Sequence, residues 1–326
     1  MVTVLRDRAI AGKLPFLPAD YWLLRAGPSH LSLQPGRNEA TYVSTGRTAH
    51  DCLVHHLGLA WLRYRDHPSR LGRGDQVVAT ARHPEAITEA IPDAGNALLT
   101  LPLDVTNAGQ AAAAVSATVA RFGRIDSLIN NAGRGLLGAV EEVSDAEARA
   151  VFDVNVFGLL TVTCAVLPVM REQGAGKIIN ISSSGGFIGR PGWGVYCSTK
   201  FAVEGLSESM GHELAPLGIR VTAIEPGGFR TNFLDDSSLV RAEATIEDYT
   251  GTAGATRQWA KETNYAQAGD PVKAAKVIVD LTGRESLPER IQLGEDCFTA
   301  VAQKLARTAR DQAHWREISI STGYHA

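Results

Sequence analysis

GKIINISSSGGFIGRPGWGVYCSTKFAVEGLSESMGHELAPLGIRVTAIEPG, residues 176–227, reads as strand, helix, strand. Its first run, GKIINISS (176–183), is short and apolar, as a strand covered on both faces must be. YCSTKFAVEGLSESMGHELAPLG (196–218) is too long for a strand and reads as a helix. IRVTAIEPG (219–227) returns to strand character and ends on Pro-Gly, a turn signal. A helix joining two strands in this way makes the strands neighbours in a parallel sheet.

The same alternation extends in both directions. GDQVVATAR (74–82), ALLTLPLDV (97–105) and IDSLINNAG (125–133) read as strands, with AGQAAAAVSATVARFG (108–123) a helix between the last two. A long helix starts at Ser144, where Glu147 completes a capping box, and runs through FDVNVFGLLTVTCAVLPVM. Beyond residue 227, segment 232–268 is polar and irregular. DPVKAAKVIVDLTG (270–283) is helical, RIQLG (290–294) is a short strand, and a last helix covers about 295–314. The pattern predicts an α/β fold: a doubly wound parallel sheet in three αβα layers, one Rossmann-like domain over 73–320, with ligands beyond the carboxyl ends of the strands.

Bulk properties set limits. The chain has 326 residues, 44% of them apolar and 21% charged, with a formal net charge of -3. No broad basic surface follows, so neither nucleic acid nor an anionic membrane is an expected partner. Cys52, Cys164, Cys197 and Cys297 are scattered without a CxxC pair, which fits a reducing, cytoplasmic setting. No uninterrupted apolar run approaches the roughly 20 residues of a membrane helix, and the first residues lack the apolar stretch of a signal peptide.

Within the opening stretch, Tyr196 and Lys200 stand four apart on one helix and so share a face. An ammonium near a phenol favours phenolate and makes Tyr196 a candidate general acid and base. Alone, YxxxK is as readily a surface pair. Ser183 changes the balance: it ends the preceding strand, where its hydroxyl can meet the same substrate oxygen. Asn155 interrupts an apolar helix, where an amide must be hydrogen-bonded. NNAG (130–133) ends a strand on small residues that let a ligand approach the backbone.

NNAG, Asn155, Ser183, Tyr196, Lys200 and EPGGFRT (225–231), in this order and spacing, resemble the short-chain dehydrogenase/reductase family. The carboxyl-terminal half more loosely resembles its hydroxysteroid and retinol dehydrogenase-like branch. The resemblance covers about three quarters of the chain. It implies an NAD(P)-dependent oxidoreductase acting on a small-molecule carbonyl or alcohol, assembled as a homodimer or homotetramer through helices 144–172 and 196–216. It implies that Tyr196 exchanges a proton with the substrate oxygen and Ser183 hydrogen-bonds that oxygen. Lys200 then binds the nicotinamide ribose and lowers the tyrosine pKa, and Asn155 holds a water in a proton relay. Asp104 and Val105 would flank the adenine; Asn131, Ala132 and Gly133 would line the cofactor; Pro226, Gly227, Gly228 and Thr231 would lie along its nicotinamide side. Segment 232–268 would form a substrate lid. Arg82, at the end of QVVATAR, stands where an acidic residue would favour NAD; an arginine there can hold a 2′-phosphate, so NADP is expected, with NAD the alternative.

One departure is large. The glycine-rich turn that should receive the pyrophosphate before GDQVVATAR is missing; Thr45-Gly46 is followed by no spaced glycines. Residues 1–72 show no sustained period, which marks them as disordered or mistranslated. Moving the reading frame of residues 51–72 by one nucleotide permits Trp-Phe-Ile-Thr-x-Gly-x-Arg-Gly-Phe-Gly-Ile-Ala-Ile, a strand, a glycine turn and a helix start. Its last glycine falls fourteen positions before Val77. On that reading the chain as written lacks a central strand and its phosphate turn. The cluster His50, Asp51, Cys52, His55 and His56, which resembles metal-ligand chemistry, is then an accident of frame, and no metal site is expected. The second reading of the whole chain is a non-catalytic NAD(P)-binding sensor or pseudoenzyme; a complete Asn-Ser-Tyr-Lys set weighs against it.

Overall fold

The computed structural model describes residues 76–90 and 96–324, together with the strand backbone at Tyr21–Leu24 and Cys52–His55. The described strands are β1 (Tyr21–Leu24), β2 (Cys52–His55), β3 (Gln76–Ala81), β4 (Leu98–Pro102), β5 (Ser127–Asn130), β6 (Gly135–Leu137), β7 (Gly176–Ile181), β8 (Ile219–Pro226), β9 (Leu239–Arg241) and β10 (Arg290–Leu293). The helices are α1 (Glu85–Ala90), α2 (Ala108–Phe122), α3 (Asp145–Phe152), α4 (Leu159–Gln173), α5 (Gly194–Leu214), α6 (Ala255–Thr263), α7 (Pro271–Thr282), α8 (Glu295–His314) and α9 (Arg316–Ile320).

Eight strands form the main sheet, in the order β10-β8-β7-β5-β2-β1-β3-β4. Successive side chains of a strand point to opposite faces, and the apolar pairs show it. Leu128 and Ile178 enter a core with Val162, Val166 and Met170 of α4 and Val203 and Met210 of α5. Their neighbours Ile129 and Ile179 enter a second core with Ile87 of α1 and Ile278 and Leu281 of α7. Each such buried side chain contributes roughly 1.5–3 kcal/mol. The three-layer αβα arrangement follows from this two-sided burial. A buried polar chain stitches the layers: Asn130 Nδ2 donates to Thr163 Oγ1 and to Asn180 Oδ1, each at 2.9 Å, and Asn180 Nδ2 donates to Ser207 Oγ at 2.9 Å. It fixes β5, β7, α4 and α5 to one another, and with them the site below.

The N-terminal strands depart from expectation. β2 lies parallel to β5 and β3, in the slot of a first Rossmann strand, so the chain as written does carry a strand there. The shifted reading places its Trp-Phe-Ile on positions 53 to 55, the same slot. β1 pairs antiparallel with both β2 and β3, the exception in an otherwise parallel sheet. The glycine-turn positions and most of the His-Asp-Cys cluster lie outside the described residues.

Other differences have local causes. The helix from Ser144 keeps its capping box, with Ser144 N donating to Glu147 Oε2 at 2.8 Å and Glu147 N to Ser144 Oγ at 3.3 Å. It is not continuous, however: a π-helical turn at Asp153–Gly158 separates α3 from α4. Taken together, Asp145–Gln173 is long and apolar enough to cross a membrane by length and composition, contrary to the count of uninterrupted apolar residues. Its Val162, Val166 and Met170 are core side chains, as in the buried helix of a layered sheet. Segment 232–268 is ordered rather than irregular, with helical turns at Asn232–Leu234 and Glu247–Tyr249, a π turn at Thr250–Gly254, and α6. Its β9 pairs in parallel with β6, too short a pairing for periodicity to reveal.

Candidate active site

α5 begins after the Pro191-Gly192 turn, where Gly192 takes φ +76°, a conformation open to glycine at little cost. The helix then presents Tyr196 and Lys200 inward, 7% and 4% exposed. The Tyr196 ring is fixed between Trp193, 5.5 Å away edge-on, and Phe233, 5.6 Å away. Ser183 follows the end of β7, and its Oγ accepts from Gly185 N at 3.0 Å, leaving its own proton to donate. Two glycines show how the groups converge. A Cβ on Gly185 would lie 3.4 Å from both Ser183 Oγ and Tyr196 Cε1. A Cβ on Gly133 would lie 3.4 Å from both Asn155 Oδ1 and Lys200 Nζ.

Asn155 sits within the π turn, a distortion that recurs at functional positions. Its Oδ1 accepts from Arg134 N at 2.9 Å; its Nδ2 donates to Arg134 O and to Thr199 Oγ1, both at 3.0 Å. The amide thus ties the chain after NNAG to α5, and one oxygen lone pair remains for a water.

Burial raises the Tyr196 phenol far above its usual value; the Ser183 hydroxyl opposes this and Cys197 adds to it. Lys200 Nζ donates to Ile181 O at 2.8 Å, a contact that i+4 spacing alone does not predict. Burial lowers Lys200 to about 8, against the pull of Glu204. At neutral pH the phenol is therefore protonated.

A cavity of about 570 Å³ opens on this group. Asn131, Gly133, Ser183, Tyr196, Lys200, Pro226, Gly227, Gly228 and Thr231 line it, as the motifs predicted. Arg82, Asp104, Val105, Ala132 and Asn155 do not. Val105 is a core side chain against Gly158, where an added Cβ would come within 2.4 Å. Asp104 closes a turn by accepting from Thr106 N and Oγ1. Trp193, Phe233, Leu234 and Trp259 give the same cavity an apolar lining.

Sequence reading missed several residues. Arg134 is half-buried and lies within electrostatic reach of Arg82, which lowers its pKa along with burial. Gln267 lines the cavity with an amide oxygen that has no partner among the described residues. Glu204 stands buried behind Lys200. Its i+4 spacing from Lys200 was a visible signal; Arg134 and Gln267 gave none, because tertiary contact alone brings them in.

Among known families, short chain dehydrogenase matches residues 70–241. Oxidoreductase BOA17 of Botryotinia fuckeliana (strain B05.10) is 35% identical over 253 residues, covering 77% of this chain and 92% of that protein. A short-chain dehydrogenase from Streptomyces avermitilis superposes with a TM-score of 0.70 at 38% identity, over 78% of this chain and 92% of that one. A gluconate 5-dehydrogenase from Burkholderia cenocepacia J2315, solved with NADP and tartrate, gives a TM-score of 0.55 at 25% identity, over 68% of this chain and 85% of the other.

Proposed function

This chain belongs to the short-chain dehydrogenase family, and from that membership we propose that it is an NADP-dependent oxidoreductase interconverting a carbonyl and an alcohol, with Tyr196 as general acid and base. The observation that carries the reading is the convergence of Ser183, Tyr196, Asn155 and Lys200 around two bare glycines at the wall of one cavity.

The cavity suits a nicotinamide cofactor. Gly133, Gly227 and Gly228 line it, with Gly228 N donating to Asp296 Oδ2 at 2.7 Å. Lys200 uses one N–H on Ile181 O and has two more to offer a ribose hydroxyl. Pro226, Gly227, Gly228 and Thr231 would lie along the nicotinamide side, Asn131, Ala132 and Gly133 would line the cofactor, and Asp104 and Val105 would flank the adenine. When bound, the cofactor supplies the hydride chemistry. The protein does the rest. Ser183 Oγ–H donates to the substrate oxygen and fixes it beside the phenol, and Tyr196 Oη gives or takes its proton. Trp193, Phe233, Leu234 and Trp259, the last three from the 229–268 region, keep water from that oxygen and favour an apolar substrate body. The direct test is turnover of NADPH and NADH, followed by absorbance, against a panel of apolar ketones and aldehydes. Absence of turnover with every member, in a protein that binds cofactor, would favour the sensor reading.

NADP is preferred over NAD because Arg82 follows the end of β3, where an acidic residue would favour NAD and a guanidinium can hold a 2′-phosphate. Replacing Arg82 with Ala should raise KM for NADPH by about tenfold or more, the loss of one charge-assisted hydrogen bond, and leave that for NADH nearly unchanged. Equal effects on both cofactors would remove Arg82 from 2′-phosphate recognition.

The reading extends to assembly, location and coding. A homodimer or homotetramer is proposed through the helices that expose Phe157 and Phe201, and a cytoplasmic location on the free thiols of Cys164, Cys197 and Cys297. The frame error is retained as a proposal, supported by the missing glycine-rich turn before GDQVVATAR. The nucleotides of codons 40–75 decide it: codons that fail to spell Gly-x-x-Gly-x-Gly in the shifted frame end the idea.

A further inference from the structure

One helical turn behind Lys200 lies a group of buried oxygens that the proposed reaction does not use. Glu204 follows Lys200 by four residues on α5 and shares its face. It is buried, and neither of its carboxylate oxygens closes a hydrogen bond among the described residues. Glu225, on β8, is fully buried; one oxygen accepts from Gln292 Nε2 at 2.7 Å and the other is orphaned. The Ser182 hydroxyl is buried as well, and acts on the Glu204 carboxyl as a hydrogen-bonding group without closing a bond of ordinary geometry. It faces the same space: a Cβ on Gly186 would lie 2.3 Å from Ser182 Oγ and 3.1 Å from Glu204 Cγ. A buried polar atom without a partner costs about 1–3 kcal/mol, and more if charged. Orphans gathered beside a catalytic lysine therefore call for a role.

We propose that Glu204 is a positioning residue: from behind Lys200 it holds the lysine in its protonated form and so sets the pH range over which Tyr196 and Lys200 work together. The inference rests on the reading of Tyr196 and Lys200 as the reacting pair. The groups facing Glu204 come from each surrounding element: Lys200 on α5, Ser182 after β7, Glu225 on β8 and Arg290 on β10. Cys297 of α8 adjoins both carboxylates. Burial pushes Glu204 up to about 7, with Glu225 adding to the rise, while Ser182, Arg290 and Lys200 oppose it. Arg290 acts on Glu204 as well, while its guanidinium also donates to Glu208 at 2.6 Å; Lys200 is the cation that shares the Glu204 helix face. Conversely, burial lowers Lys200 to about 8, and Glu204 is the group that resists.

The sign follows. Between these two values carboxylate and ammonium coexist; above them the lysine loses its proton. Removing the anion lets it do so earlier. Glu204→Gln should therefore move the alkaline limb of the kcat/KM profile to lower pH by about one unit, while melting stays close to that of the parent. Glu204→Asp, which keeps the charge, should restore part of the shift. Profiles of parent and Glu204→Gln that superimpose overturn the proposal. A second measurement serves should turnover be absent altogether, which would count against the oxidoreductase reading instead. Infrared difference spectra of the parent protein across neutral pH should show the carbonyl stretch of a protonated carboxyl that vanishes in Glu204→Gln. In Lys200→Met the same band should persist to higher pH, because the stabilising cation is gone. A band absent from the parent, or unmoved in Lys200→Met, also overturns the proposal.

Discussion

Tyr196→Phe should lower kcat by about 1,000-fold at neutral pH, with KM for both substrates within about threefold of the parent. Loss of a positioned general acid or base removes about 100- to 10,000-fold, and no neighbouring group stands ready to replace it. Ser183 already accepts from Gly185 N, which fixes its hydroxyl for orienting the substrate oxygen. Lys200 is directed at Ile181 O. The substitution removes one oxygen and keeps the ring that Trp193 and Phe233 hold, so the cavity wall and the melting temperature should barely change. The raised pKa of the phenol adds a pH signature. With the proton held on Tyr196 well above neutrality, the free protein is poised to donate it. Carbonyl reduction should thus proceed at neutral pH, and alcohol oxidation, which needs the proton removed first, should climb as pH rises. Steady-state kinetics in both directions test the two statements together. Turnover within about threefold of the parent in Tyr196→Phe would show that another group moves the proton.

What the sequence disclosed and what it hid divide along a physical line. Strand and helix periods revealed β3, β4, β5, β7, β8 and β10, because burial on both faces leaves continuous apolar runs such as KIINI. Of the proposed catalytic set, Ser183, Tyr196 and Lys200 were legible together because they sit at a strand end and on one helix face, where spacing along the chain is nearly spacing in space. β6 and β9 escaped because three-residue strands carry no period, and the π turn at Asp153–Gly158 escaped because it has the composition of the helix around it. Arg134 and Gln267 reach the site through tertiary contact alone. The i+4 spacing put Lys200 beside the phenol but could not show that its amino group also reaches Ile181 O at the end of β7. Segment 232–268, read as irregular from its polarity, is ordered by a charge that the sequence offered no reason to single out.

That charge is Glu142, and breaking its partnership should be the largest single loss of stability outside the two cores. Its side chain is 0% exposed and that of Arg257 17% exposed, and the two form an ion pair. Glu142 Oε2 also accepts from Ala139 N at 2.7 Å, and Oε1 from Ile246 N at 2.9 Å. One carboxylate thus joins the turn after β6, the strand-like stretch before Glu247, and α6, whose Thr256 and Trp259 line the cavity. Arg257→Leu would leave that carboxylate buried without its cation. Removing one partner of a buried pair costs about 3–5 kcal/mol, whereas replacing both with neutral groups is far milder. Arg257→Leu should therefore lose about 3 kcal/mol in denaturant titration, and Glu142→Gln with Arg257→Leu should recover most of it. Since α6 forms the cavity wall, KM should rise in the single variant more than kcat falls. Acidity gives an independent check. The Arg257 hydrogen bond, then the backbone donors, hold Glu142 down to about 2, below its ordinary value of 4.5. A carboxyl so depressed stabilises the fold fully above the ordinary value and loses that contribution as pH falls toward 2. The parent should weaken steeply over that window, and Arg257→Leu, already without the cation, should weaken less. Equal slopes in the two proteins, or a loss under about 0.5 kcal/mol at neutral pH, would mean that the lid is held by its apolar contacts and not by this pair.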